Sequence, residues 1–285
     1  MELRENEIKI QDIIEDIRKN KKNILSIIVF ITLITIIVVS IKPHTYTAEA
    51  IIVPTKNEDN GLNGALSGLQ GVAKFAGIQI GSSEDDLETK LAILTSRKFI
   101  IDFIKNNNID VELFAKKFNF FKNEFYIDEE KYDKEKSEWK ENGKGYKPSS
   151  QDLYKKFSNI LKIKQDRVTN IITISITWHD ANLATDWVNK IINEFNESSK
   201  EKEEEEAKKS ILYLENTLKK TEILSMQQII YGLIESQIKV LMLANAKEQY
   251  AFKIIDPALV PLRKDGPSKI KYILLAIIVS TGFSI

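Results

Sequence analysis

Cysteine is absent from the 285 residues, so disulfides and Cys-ligated metal sites are excluded, although the absence does not choose a redox compartment. Histidine is nearly absent, with only His44 and His179 present. No H-E-x-x-H, G-x-S-x-G or Walker A pattern occurs, which removes the common zinc-protease, serine-hydrolase and P-loop readings. A charge of one sign is lacking too: 41 Lys+Arg balance 41 Asp+Glu, which excludes a whole-chain basic bias toward nucleic acid. Glycine and proline are sparse at 11 and 6, and six of the glycines fall between Gly61 and Gly81 in GLNGALSGLQGVAKFAGIQIG. Neither phosphate-cradling spacing is found there, so these residues read as small packing positions or a loop. His179 neighbours a helix start, where a turn or capping contact is the simplest role. The carboxylates concentrate in solvated runs, where pairing two as acid and base would be arbitrary. No catalytic, cofactor-binding or metal-ligating set emerges, and the chain reads as a scaffold rather than an enzyme.

Mean hydropathy is −0.22, an average over regions of opposite character. Ile24 to Ile41, ILSIIVFITLITIIVVSI, has eighteen residues without a charge, Gly or Pro. That is enough to cross a bilayer at about 1.5 Å per residue. Arg18, Lys19, Lys21 and Lys22 precede it, which by the positive-inside rule places residues 1–23 in the cytoplasm. A signal peptide would have a shorter apolar run and a small-residue cleavage site; Lys42-Pro43-His44 follows instead. Tyr272 to Ile285 is again uncharged, and residues 270–285 are expected to begin a second transmembrane helix, cut short where the sequence ends. Arg263, Lys264, Lys269 and Lys271 on its outer side run against the charge rule, which long translocated domains weaken. Two such anchors would place the residues between them beyond the cytoplasm, with strands near Tyr46–Val53 and Tyr250–Val260 pairing to join the domain's ends.

Within that domain, Ser83 and Asp86 are spaced as a capping box opening a helix through Leu87, Leu91 and Leu94, its apolar pattern continued by Phe99, Ile100, Phe103 and Ile104. Phe118, Phe120, Phe121, Phe125 and Tyr126 form an aromatic patch, followed by a balanced charge run that reads as a solvated excursion. Its acidic residues oppose phosphate binding, so its Lys and Tyr residues are not assigned to nucleic acid. Ile172, Ile174, Ile176 and Trp178 alternate with polar residues as a half-buried strand, with Leu161–Ile163 as hairpin partner. Asp180 is an N-cap for a long helix reaching about Thr221, whose apolar start from Leu183 to Phe195 gives way to a stretch from Asn196 to Ser210 in which Ala207 alone is apolar. Ser225 and Gln228 are spaced as a second capping box for a return helix bearing Ile230, Ile234, Ile238, Leu241 and Met242. A hairpin of that reach either crosses a core or packs against copies of itself in a ring or bundle. Ile230, Ile234, Ile238 and Leu241 are the candidate packing residues.

These features resemble the chain-length determinant, or Wzz-type, family of bacterial polysaccharide co-polymerases. The resemblance runs through the basic-flanked first anchor, YTAEAIIVP, the Gly-rich segment, LAILTSRKFI from Leu91, WHDANLATDWVN from Trp178 and LMLANAKEQYAFKIIDPALVP from Leu241. Pro257, Pro261 and Pro267 are similar to the family's proline-rich motif, here interrupted by Arg263-Lys264-Asp265-Gly266. The resemblance implies an α+β fold: a membrane-proximal α/β base with a long helical arm, flanked by N- and C-terminal transmembrane helices. The expected division is 1–23 cytoplasmic, 24–41 first span, 43–179 periplasmic base, 180–249 arm, 250–269 returning strand and proline-rich segment, and 270–285 second span. It also implies an inner-membrane ring of copies of the chain that sets the length of O-antigen or a related surface polysaccharide. Its partners would be membrane lipid, a Wzy-type polymerase and the lipid-linked glycan, without cofactor or nucleic acid. The rival reading is a co-polymerase subunit that regulates a separate tyrosine autokinase in capsule or exopolysaccharide export. An efflux adaptor, which needs only one anchor, and a periplasmic hydrolase, which lacks any motif here, are the remaining classes.

Overall fold

The computed structural model describes residues 21–55, 83–119, 121–122, 124–140, 147–266 and the positions 272, 274, 276 and 278. The Gly-rich segment, Phe120, Pro267 and the side chains of Ser83 and Asp86 lie outside the described set, and with them the first capping box and the third proline. The chain divides into two compact units. One comprises Met1–Tyr46, Lys117–Tyr126 and Arg263–Ile285; the other comprises Thr47–Lys116 and Ile127–Leu262.

The first unit contains helix α1 (Lys21–Ile41), whose sequence carries the uncharged run read above. A helix of that length rises about 31 Å. Beyond it Thr45 forms an antiparallel bridge with Gly266. Its N–H donates to Gly266 O at 3.2 Å, and Asp265 N–H donates to Thr45 O at 2.9 Å. A Cβ at position 266 would sit 3.0 Å from Thr45 Oγ1, so glycine suits this approach. Lys42 Nζ stands 5.6 Å from the centre of the Tyr272 ring, and Tyr272, Leu274, Ala276 and Ile278 are helical.

The second unit is built on a four-stranded sheet formed by β1 (Tyr46–Pro54), β6 (Leu161–Gln165), β7 (Ile172–Trp178) and β8 (Phe252–Asp256), in the order β6-β7-β1-β8. The expected hairpin is present, with Leu161 opposite Ile176 and Ile163 opposite Ile174. Its loop turns on Asp166, whose Oδ1 accepts from the backbone N–H of Val168 at 2.9 Å. The strands near the two ends of the domain also meet: β1 pairs antiparallel with β8, with a register irregularity between Ile51 and Ile52. Alternation in β1 buries Ala48, Ala50 and Ile52, while β7 buries Ile172, Ile174 and Ile176.

The apolar pattern between Leu87 and Ile104 makes two helices rather than one: α2 (Ser83–Leu94) and α3 (Arg97–Asn106). Ser96 explains the break. Its extended backbone and its side chain, which accepts from Phe99 N–H at 3.3 Å, start a new helix where the period alone suggested continuation. Next come α4 (Ile109–Phe114), hairpin strands β2 (Lys116–Asn119) and β3 (Glu124–Ile127), the short pair β4 (Tyr132–Asp133) and β5 (Glu138–Trp139), and α5 (Ser150–Ile160). A full capping box at Ser149 and Asp152 opens α5. Aromatic side chains link the core layers: Phe103 meets Phe157 at 5.6 Å, Phe157 meets Trp187 at 6.3 Å, and Trp187 meets Trp178 at 5.4 Å.

Candidate functional site: a helical arm and its tether

The arm begins as α6 (Ala181–Leu218), a helix of 38 residues, about 57 Å long. Asp180 caps it as its position suggests, accepting from the N–H groups of Asn182 at 2.8 Å and Leu183 at 3.2 Å. Its first half is a root: Ala184, Trp187, Val188, Ile191, Ile192 and Phe195 are buried. Phe195 stacks on Phe252 of β8 at 5.4 Å and meets Phe99 of α3 edge-on at 5.3 Å. Each large root side chain contributes about 1.5–3 kcal/mol by burial, an upper range because the unfolded chain is not fully extended. Past Asn196 the helix becomes a shaft in which Ala207 is buried among mostly exposed polar residues.

Ion pairs one turn apart line the shaft. Lys208 Nζ lies 3.2 Å from Glu204, and Lys209 Nζ lies 2.6 Å from Glu205. The hydrogen bond from Lys209, followed by its charge, holds the Glu205 carboxyl below its ordinary value and raises the Lys209 ammonium reciprocally. These groups are solvated and steady the helix only modestly.

After a turn at residues 219–223 the chain returns as α7 (Leu224–Ala246), packed along α6. The second proposed capping box does not form: the N-cap of α7 is Ile223, two residues before Ser225, with no side-chain cap. The turn is closed instead by Gln227, whose Nε2 donates to Thr221 O at 2.7 Å. At 100° per residue, Ile230, Ile234 and Leu241 share a face; Ile230 is buried and the other two are half-buried. Ile229 and Leu233 flank that face on one side and Tyr231, Ile238 and Met242 on the other, all exposed. Gln228, Gly232, Glu235 and Lys239 form a narrow polar back, where a Cβ on Gly232 would meet nothing within 4 Å. The apolar arc of α7 is therefore much wider than α6 covers. Leu212 and Tyr213 on α6 are also exposed, at 60% and 72%.

Among the described residues, α7 is the helix long and apolar enough to cross a membrane by length and composition. Its pairing with α6 and its Glu235–Lys239 ion pair at 2.8 Å fit an arm helix with partly covered apolar faces.

The returning chain is tethered to the root by amides. Asn196 Oδ1 accepts from the N–H groups of Ala251 at 2.9 Å and Phe252 at 2.8 Å, while its Nδ2 donates to Phe252 O at 2.9 Å. Two turns earlier, Asn189 Oδ1 accepts from Ala258 N–H at 3.0 Å and its Nδ2 donates to Ala258 O at 3.1 Å. Each side chain clamps extended backbone through both its donor and its acceptor, as a strand would. Pro257 precedes Ala258 and is exposed; Pro261 lies three residues beyond it and is half-buried. The tether escaped the sequence reading, which counted Asn196 as the start of the polar stretch. Of the candidate packing residues, Ile238 is the exposed one at 41%. No group of three His, Asp or Glu side chains is placed to hold a metal among the described residues.

Residues 6–107 match the model of the Wzz chain length determinant protein family. The match covers the N-terminal part of the chain, 102 of its 285 residues. The matched segment contains α1, β1, α2 and α3 and ends before the arm. No curated protein matches the chain. Among solved structures, a full-length bacterial polysaccharide co-polymerase is similar at 12% identity and a TM-score of 0.38, over 97% of this chain and 95% of that one. A fragment of WzzB, the polysaccharide co-polymerase from Salmonella Typhimurium, is similar at 14% identity and 0.34, over 78% of this chain and all of that one. A variant of the Shigella flexneri lipopolysaccharide O-antigen chain-length regulator gives 13% and 0.25 over the same shares. Likeness this distant carries no residue-by-residue correspondence.

Proposed function

We propose that this protein is a non-catalytic regulator of surface-polysaccharide chain length, acting as an inner-membrane assembly of identical subunits beside a Wzy-type polymerase and its lipid-linked glycan. The observation that carries the reading is the Wzz match over residues 6–107. In this reading Ile24–Ile41 crosses the membrane, the segment from residue 270 begins a second crossing, and residues 43–269 stand in the periplasm. The bridge between Thr45 and Gly266 supports the pairing of the two membrane ends. The arm supplies the contact between subunits: Ile238 and Tyr231 on one flank of α7 and Ile229 and Leu233 on the other meet neighbouring arms, so that one subunit contacts two. Pro257 and Pro261 disfavour helix after β8, and with Pro267 they make up the motif on which this part of the reading rests. The assembly biases when the polymerase stops extending the glycan.

Deletion of the gene followed by complementation tests this. Gels of the surface glycan are expected to change from an unregulated ladder to one with a preferred length when the intact gene is restored. A ladder indifferent to the gene would overturn the function.

A further inference from the structure

The β2–β3 hairpin has a tip that its own unit does not cover. The Phe121 side chain is 95% exposed, and Phe125 and Tyr126 are 38% and 48% exposed. Asn119 Oδ1 accepts from the N–H groups of Phe121 at 3.0 Å and Lys122 at 3.2 Å. Behind it Phe118 and Phe125 lie with ring centres 5.0 Å apart. An aromatic ring presented to water is costly unless something apolar receives it.

Two further observations identify the receiver. Residues 117–126 belong to the same compact unit as α1 and the residues from Arg263 onward, the two segments read above as membrane anchors. Lys117 and Lys122, next in sequence to Phe118 and Phe121, are exposed. Aromatic rings with adjacent lysines suit the boundary between acyl chains and anionic headgroups, where the ring sits in the apolar side and the ammonium in the polar side.

We propose that the β2–β3 hairpin is a membrane-interface anchor that inserts Phe121 into the periplasmic leaflet, with Phe125 and Tyr126 at headgroup level. This rests on the reading that α1 crosses the membrane, and it adds a third attachment to the bilayer within the same unit. The occupant is lipid, not another polypeptide.

The natural absence of cysteine allows single-site spin labels on the full chain. Phe121→Cys, Phe30→Cys in α1 and Lys136→Cys in the charged excursion would each be labelled in nanodiscs of phosphatidylethanolamine and phosphatidylglycerol. Collision with oxygen and with a water-soluble nickel chelate would then be compared. Position 121 is exposed, so its substitution removes no core contact. The oxygen-to-nickel ratio is expected to be several-fold higher at 121 than at 136, approaching that at 30. A lipid-like ratio at 30 with a water-like ratio at 121 overturns the hairpin anchor and leaves the membrane crossing standing. Water-like ratios at both positions overturn the hairpin anchor together with the crossing on which it rests. Spectral broadening at 121 that disappears on dilution with unlabelled protein, without oxygen contact, also overturns it, because the ring then meets a second copy.

Discussion

The two halves of α6 are one uninterrupted helix under opposite physical regimes. From Ala184 to Asn196 it is defined by what it buries; from Glu197 to Leu218 it has Ala207 as its buried residue, with α7 along one side and ion pairs on its solvated faces. The difference teaches where each kind of substitution should act. Root changes should act on folding, whereas changes on the exposed flanks of α7 should act on association while leaving the base intact.

The largest effect should come from the root. Phe195→Ala removes a ring packed between Phe99 and Phe252 and should cost about 3–5 kcal/mol, read as an earlier chemical denaturation midpoint. Equal stability in the variant would mean that the root is not the anchor of the arm. Asn196→Ala should come next, because it deprives two backbone N–H groups and one carbonyl of their partner, at about 1–3 kcal/mol for each group left buried and unpaired. Faster hydrogen exchange at Ala251 and Phe252 is the specific sign; exchange unchanged there would place the tether elsewhere.

On the exposed flank of α7 the sign of the comparison reverses. Ile238→Asp should change stability by no more than about 0.5 kcal/mol, as for an exposed position. The same substitution should reduce the mass of the detergent-solubilised assembly. Ile234→Asp, at a half-buried position, should disturb both, and cross-linking that stays at wild-type levels would show that this face does not lie between subunits.

The smallest effect belongs to the shaft. Lys209 holds the Glu205 carboxyl below its ordinary value of 4.5, so the pair's contribution is present above that value and fades as pH falls through the lowered folded value. Helix content measured by circular dichroism should be level near neutrality and decline only in acid, with Glu205→Gln removing part of that acid dependence.

Much of this division could be read before any coordinates. Alternation in Ile172–Trp178 has one structural answer once a face is buried, and Asp180 before a long periodic run marks a helix start. Features made by partners distant in sequence were not legible. Asn196 looks like any polar residue opening a solvated stretch, and its clamp exists only because β8 returns 56 residues later. Local spacing misled twice: Ser96 divided an apolar pattern that periodicity joined, and the Ser225–Gln228 spacing lost to a turn closed by Gln227. Among the arm candidates, spacing placed Ile230, Ile234 and Leu241 on a common face but could not separate them from exposed Ile238, because α7 is apolar over most of its circumference.

The most direct test of the account is the glycan ladder of cells in which Ile238→Asp replaces the intact protein at equal abundance. A folded, membrane-inserted variant with a smaller assembly and no preferred glycan length is the predicted result. A preferred length unchanged from that of the intact protein, despite the smaller assembly, would contradict the claim that association through the arm sets chain length.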